Sequence, residues 1–307
     1  MEHVQVLIAG GGIAGLSAAI WCQRLGLSCL LVEKTDRLGG QLHQIHNEIW
    51  DFPPRVYAQG ASLLEDLSRH PSVQKLAVRF EEELVAIDRV AKTVTTSKAV
   101  YHVDYLLVAT GVAPNQIPAL DGCTRVLPPS FSTTAEATSV AGLDLAVIGG
   151  GDRAVESAVN LTKHARHVTL LVRSNHLRAR PDWLRKMAAL PNLTVLWETE
   201  VSGFLHRENR LLLTLASRRP ENPQQLLVDW ILPRIGVHGN CTGLDGLTMF
   251  GDGYLKTDDF QRSDDAWIYG LGDVTNGAAY ASLSLAVGQA MKAVKHISMH
   301  NRSSTPF

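Results

Sequence analysis

One pattern, a short apolar strand followed by three consecutive glycines and a helix, occurs twice in this chain of 307 residues. In the first copy, residues 4–9 read as a buried strand, Gly10-Gly11-Gly12-Ile13-Ala14-Gly15 as a turn, and the Ala- and Leu-rich stretch to about Leu25 as a helix. Residues 28–33 form a second strand ending in Glu33, with Lys34 after it. Strand, glycine loop, helix, strand and acid in this order make the βαβ unit that binds dinucleotides. Gly10 permits the tight turn, Gly12 lets the backbone approach a pyrophosphate, and Gly15 lets helix and strand pack closely. The helix N-terminus then faces the phosphates, and the acid accepts from ribose hydroxyls. The second copy has a strand at 143–148, the turn Gly149-Gly150-Gly151-Asp152-Arg153-Ala154, a helix at 155–164 and a strand at 167–173. Two such units constrain the chain to an α/β fold with two nucleotide-binding domains.

The length agrees, since about 100–200 residues make one domain. Hydrophobic residues are 45% of the chain and charged ones 19%, enough apolar surface for sizeable cores. Lys plus Arg number 29 against 30 Asp plus Glu, so no cationic surplus points to nucleic acid. No apolar run reaches the ~18 residues of a membrane helix. Met1-Glu2-His3 is acidic and runs straight into a strand pattern, so no secretory signal and a cytoplasmic location are expected.

Between the units, residues 103–109 read as a strand running into Thr110-Gly111. Later, 266–269 lead into Gly270-Leu271-Gly272-Asp273, followed by an Ala-rich helix from about Ser282 to His296. An Asp at a strand end beside a glycine suits a ribityl or phosphate-linked hydroxyl. If 241–307 complete the first domain with 1–113, the second is inserted at 114–240. The hinges fall near 112–118 and 237–243, both rich in Gly, Pro and Asn. The expected fold is thus two Rossmann-like, three-layer ββα domains, the second inserted into the first.

The pieces Gly10 to Gly15, Glu33, Gly39-Gly40-Gln41-Leu42, Ala109-Thr110-Gly111, Val147 to Asp152 and Gly272-Asp273-Val274 come in one order and spacing. In these the chain resembles the low-molecular-weight thioredoxin reductase family of flavoproteins, over essentially its whole length. The resemblance implies FAD in the first domain, a second nucleotide in the inserted domain, and a homodimer. Gly40, Gln41, Leu42 and the turn Asp51-Phe52-Pro53 would lie against the isoalloxazine. Thr110, Gly111, Gly272, Asp273, Tyr280 and Ala281 would complete the FAD site.

Three departures from that family bear on mechanism. Where it has a C-x-x-C-D run, this chain has Ser132-Thr133-Thr134-Ala135-Glu136. Disulfide exchange needs a thiolate to attack sulfur, so thioredoxin reduction by the usual route is excluded. Glu136 is either a remnant proton donor or a solvated carboxylate. The four cysteines, Cys22, Cys29, Cys123 and Cys241, contain no C-x-x-C. Cys22 and Cys29 read as small hydrophobes on the first helix and second strand. Next, the 2′-phosphate grip of NADPH-selective members becomes Val172-Arg173-Ser174-Asn175-His176-Leu177-Arg178. Arg173 and Arg178 survive, and losing one cation of three costs ~1–3 kcal/mol. Arg153 stands where the family has a small serine: it either fills the pyrophosphate space or adds a phosphate contact. Last, Ala279-Tyr280 replaces an Arg-Gln pair beside the flavin. Tyr280, His43 and His46 are the candidates to act there, a histidine as proton relay. Trp50 sits beside the same turn, and Trp21 reads as core.

Three functional readings follow. In the first, FAD passes electrons directly to an external acceptor, with NADPH or NADH as possible donor. Ferredoxin–NADP reductases of this kind commonly carry a C-terminal extension, and the stretch 301–307 offers little. In the second, pyridine nucleotide is abandoned: a ferredoxin-like protein supplies electrons, or a second FAD occupies the inserted domain. In the third, the protein senses redox state or binds a partner with little turnover. No metal, nucleic acid or membrane partner is expected in any of them.

Overall fold

The computed structural model describes residues 1–303; the last four positions of the 301–307 stretch lie outside the described residues. The chain divides into two compact units, Met1–Ala113 with the chain from Val237 onward, and Pro114–Gly236.

In the first unit, β1 (Glu2–Ala9) is apolar and buried through its second half, Val6 to Ala9, and β2 (Cys29–Glu33) up to its closing acid, the composition of parallel strands covered on both faces. They pair in parallel with Val6 opposite Cys29. The sheet continues to β3 (Ala77–Phe80) on one side and β6 (Val100–Val108) on the other. On the edge away from β1, the nine residues of β6 serve two neighbours. Its first half joins an antiparallel meander with β5 (Thr93–Thr96) and β4 (Leu84–Asp88), and its second half pairs in parallel with β16 (Ile268–Gly270). Helix α1 (Ile13–Arg24) and the long α7 (Leu283–Ser303) pack together on one face, where Leu16 and Ala290 are fully buried. Two helices, α2 (Gly60–Arg69) and α3 (Pro71–Gln74), precede β3. A ribbon of β7 (Val112–Pro114) and β15 (Val237–Gly239) forms where the chain leaves this unit and returns.

The second unit repeats the plan. A parallel sheet runs β10 (Leu193–Trp197), β9 (His167–Val172), β8 (Asp144–Ile148), β14 (Trp230–Pro233), beside an antiparallel meander of β11 (Thr199–Arg207), β12 (Arg210–Ser217) and β13 (Gln225–Val228). Helices α4 (Asp152–Leu161) and α5 (Pro181–Ala188) accompany the sheet. The entry to β8 is fixed by charge. Asp144 accepts two hydrogen bonds from Arg166, at 2.8 and 2.5 Å, and a third from Arg210 at 2.5 Å. Arg166 above all, and Arg210 with it, hold the Asp144 carboxyl below the usual carboxylate range. A lowered folded value stabilises the fold above the unfolded value, and that stability is lost as pH falls through the lowered one. Asp144→Asn should therefore cost about 1–2 kcal/mol at neutral pH, given the partly exposed arginines. The difference from wild type should shrink in acid, as urea melts across pH will show.

Two sequence expectations change. The last helix runs on to Ser303, since no Gly or Pro stops it at His296, whose ring is buried against Tyr269. Trp21 is only half buried: it packs at the margin of the apolar cluster under α1, with the cations of Arg24, at 5.0 Å, and Lys295, at 5.3 Å, over its ring.

Candidate functional site

The first glycine loop is shaped by contacts that a side chain would violate. Gly10 has φ +108°, and a Cβ there would stand 2.4 Å from the carbonyl oxygen of Ala109; one on Gly15 would stand 1.9 Å from that of Gly10. These two glycines close helix onto strand. Gly12, the N-cap of α1, is different: nothing lies within 4 Å of its Cβ position. The loop therefore presents open space at the start of a 12-residue helix, the place a pyrophosphate requires.

Glu33 is 6% exposed and held from both sides. One oxygen accepts from the Gly11 N–H at 2.7 Å, and the other from the Thr35 N–H at 2.9 Å and hydroxyl at 2.8 Å. The first oxygen keeps a lone pair for a ribose hydroxyl. Lys34 beside it is exposed.

The sequence-predicted flavin residues gather on neighbouring loops of the same unit. Gly39 donates its N–H to Gly11 O at 2.9 Å, which draws Gly40 to 3.3 Å (Cβ position) from the Gly12 Cα. Leu42 is buried, while Gln41 donates to Asp273 at 3.0 Å and reaches within 3.6 Å of the Gly111 Cβ position. Thr110 donates to Asn240 O at 2.6 Å. Gly272, at φ +71°, gives its N–H to Gln289 and packs against Ala14, with Ile13 starting the helix beside it. Asp273 opens the short α6 (Asp273–Asn276). Asp51 accepts from the Ser284 hydroxyl at 2.7 Å through its carbonyl, which ties the 50–54 turn to the start of α7.

The three catalytic candidates are placed unequally. His43 is engaged through Nε2 with Leu38 O at 2.8 Å. His46 is exposed, and Tyr280 is 73% exposed with no partner for its hydroxyl among the described residues. Ala281 next to it and Trp50, 72% exposed, are also open to solvent.

The second loop matches the first residue for residue at a constant offset of 139 positions. A Cβ on Gly149 would stand 2.3 Å from Arg234 O, as one on Gly10 does at 2.4 Å from Ala109 O. Leu145 pairs with Val168 as Val6 pairs with Cys29. Arg178 donates its N–H to Gly150 O at 2.7 Å, as Gly39 does to Gly11 O. Ser174 bonds the carbonyl two residues ahead at 2.7 Å, as Thr35 does at 2.9 Å. Gly151 is open like Gly12, and Ala154 takes the place of Gly15.

Against this shared frame one exchange stands out. Val172, 1% exposed, occupies the position of Glu33: the Cβ position of Gly150 is 3.1 Å from Val172 Cγ1, where that of Gly11 is 3.2 Å from Glu33 Oε2. A ribose hydroxyl finds no carboxylate there. Around it Arg153, Arg173 and Arg178 are exposed and make no side-chain hydrogen bond or ion pair among the described residues. Arg153 leaves the space over Gly151 open. Asp152 is occupied otherwise, accepting from the Arg180 N–H at 2.6 Å and pairing with its guanidinium at 3.4 Å.

Ser132 to Glu136 form a self-capped turn. The Glu136 carboxylate accepts from the Ser132 N–H at 2.8 Å, and the Ser132 hydroxyl accepts from the Ala135 N–H at 3.1 Å. Arg234 holds the preceding loop, donating to Phe131 O at 2.7 Å, Pro129 O at 3.1 Å and the Ser157 hydroxyl at 3.1 Å. Burial, with nearby Arg153, pushes it down to about 10, so it stays cationic at neutral pH. Sequence reasoning missed Arg234; the signal was its place after β14, equivalent to the Ala109-Thr110-Gly111 segment after β6.

The sequence profile of pyridine nucleotide-disulphide oxidoreductases matches residues 4–296. A 34.2 kDa protein in the rubredoxin operon of Clostridium pasteurianum is 25% identical over 283 residues, 89% of each chain. The thioredoxin reductase of Peptoclostridium litorale is 30% identical over 296 residues, 89% of this chain and 90% of its own. The crystal structure of Lactococcus lactis thioredoxin reductase has a TM-score of 0.81 at 20% identity, covering 98% of this chain and 100% of that one, a likeness of fold. The chain belongs to the pyridine nucleotide-disulphide oxidoreductase family, among its thioredoxin reductase-like members.

Proposed function

We propose that this protein is an FAD-dependent oxidoreductase that is reduced by NADPH and delivers electrons to an external acceptor without a protein dithiol. The residues of the first unit fit FAD: the open cradle at Gly12 for its pyrophosphate, the free lone pair of Glu33 for its ribose, and the Gln41–Asp273 pair for its hydroxyl-bearing linker. Bound there, FAD supplies two-electron uptake from a hydride and release to an acceptor singly or in pairs.

The donor assignment is carried by Val172 standing in the place of Glu33. NADH and a second FAD both bring an adenosine whose 2′- and 3′-hydroxyls seek an acid. NADPH brings a 2′-phosphate, which is served by Arg173 and Arg178, unpaired among the described residues, and repelled by a carboxylate. Arg153, at the first turn of α4, adds a cation for the pyrophosphate.

The acceptor is external because Ser132 and Ala135 hold no sulfur and Glu136 is engaged in capping their turn. A small electron-transfer protein is the class of acceptor we favour, supported by the relative in a rubredoxin operon. The homodimer implied by the family resemblance belongs to this proposal and is read by light scattering. Equilibrium binding of NADP+ and NAD+ to the flavin-loaded protein tests the donor: NADP+ should bind at least ~10-fold tighter, about 1.4 kcal/mol. Equal affinities, or tighter NAD+, would overturn the assignment.

A further inference from the structure

Two side chains of α7 grip the two turns on which a flavin would rest. Ser284 donates its hydroxyl to Asp51 O at 2.7 Å and so holds the 50–54 turn. Gln289 is buried, and its Oε1 accepts the Gly272 N–H at 2.8 Å. Its Nε2 donates to Asn276 Oδ1 at 2.7 Å and to Thr275 Oγ1 at 3.3 Å. One amide thus fastens both ends of the Gly272 to Asn276 turn, whose Asp273 carboxylate meets Gln41. Ser284 and Gln289 are five residues apart, about 7.5 Å along a helix and about 140° around it. Grips so placed keep α7 from sliding or rotating between the turns. The helix is backed by α1, against which Ala286, Ala290 and Ala293 are buried in one apolar cluster. Gly272 lies where the two helices approach: its Cβ position is 3.0 Å from Ala14 Cβ and 3.5 Å from Ala286 Cβ. The second unit repeats the glycine loop but not this device. Its sheet ends at β14, the counterpart of β6, and nothing matching β16 or α7 follows within that unit.

We propose, resting on the FAD reading above, that α7 is a strut for the flavin, with Ser284 and Gln289 as its two positioning residues. Ser284 sets the ring-side turn, Gln289 sets the linker-side turn, and the helix fixes one against the other. A long cofactor held at two turns binds best when their separation is set before it arrives, because order built into the fold is not lost on binding. Neither side chain needs to touch the cofactor: each acts through a backbone group, the Asp51 carbonyl or the Gly272 N–H. A nucleotide without the ring and linker asks only for the glycine loop and Glu33, which the strut does not hold.

The test compares the binding of FAD and of adenosine diphosphate to the full-length protein freed of flavin. Ser284→Ala should weaken FAD about fivefold and Gln289→Leu about tenfold, the size of one or more lost hydrogen bonds. Adenosine diphosphate affinity should change less than about twofold in either, whereas a merely loosened fold would lower both. Ser284→Thr, which keeps a hydroxyl, should bind FAD as the wild type does. The double variant Ser284→Ala with Gln289→Leu should lose about tenfold rather than about fiftyfold, because freeing one end already unseats the strut. Unchanged FAD affinity in the single variants, equal losses of FAD and adenosine diphosphate, no recovery with threonine, or multiplied losses in the double variant would each overturn the proposal. Ser284 is exposed, so its variants decide even if Gln289→Leu does not fold. A wild-type protein that binds adenosine diphosphate but not FAD would instead overturn the FAD reading, and the strut with it.

Discussion

Replacing Arg173 and Arg178 together by alanine is expected to weaken NADP+ binding about 150-fold and to change NAD+ binding less than about threefold. Neither side chain has a hydrogen bond or ion pair among the described residues. Each then stands to give a charge-assisted hydrogen bond of about 1.5 kcal/mol to a 2′-phosphate, and the two together give ~3 kcal/mol. Their own folding cost is small, because neither side chain holds another part of the described residues. The reverse experiment is Val172→Glu. The socket for an acid is still present: the Gly150 N–H and Ser174 stand where the Gly11 N–H and Thr35 hold Glu33. An acid introduced there should take ribose hydroxyls and repel the 2′-phosphate, turning the preference towards NAD+. Equal losses of NADP+ and NAD+ in the double arginine variant would instead place those cations on the pyrophosphate.

The second large effect separates two glycines three residues apart. Gly12→Val should leave the apoprotein folded, because φ −76° suits any residue and nothing lies within 4 Å of the Cβ position. The same side chain fills the space a pyrophosphate needs, so FAD affinity should fall by ~100-fold or more, about 3 kcal/mol. Gly15→Val should act oppositely. Its Cβ would lie 1.9 Å from Gly10 O, so the helix must part from the strand, at a cost of ~3–5 kcal/mol in stability. Thermal melts of the two apoproteins, followed by flavin titration of those that fold, distinguish the roles. A Gly12→Val protein that retains flavin normally would show that the phosphates lie elsewhere.

What the sequence revealed and what it hid divide along a physical line. Both glycine loops and Glu33 were legible because the backbone there tolerates so few residue types. The offset of 139 could be sensed as a repeated pattern, but its meaning at Val172 needed the Cβ position of Gly150 to show that a valine sits in an acid's socket. Gln289, which holds the Gly272 N–H from 17 residues away, left no local trace, and Arg234, which reaches back 103 residues to Phe131, showed only in its place after β14. Such polar anchors are fixed by tertiary approach, and nothing in their neighbours' periodicity encodes it. Tyr280 and His46 carry chemistry suited to a flavin site, yet both are exposed to solvent. The self-capped turn of Ser132 to Glu136, in contrast, gives structural form to an absence that the composition already displayed.

The central claim, a flavin reduced by NADPH with no dithiol behind it, is met most directly by anaerobic titration of the flavin-loaded protein while the flavin's visible absorbance is followed. Bleaching should be complete at one NADPH per flavin, with NADH reacting far more slowly. A requirement for two NADPH per flavin would reveal a second electron-pair store, and failure of NADPH to bleach the flavin would contradict the nucleotide assignment outright.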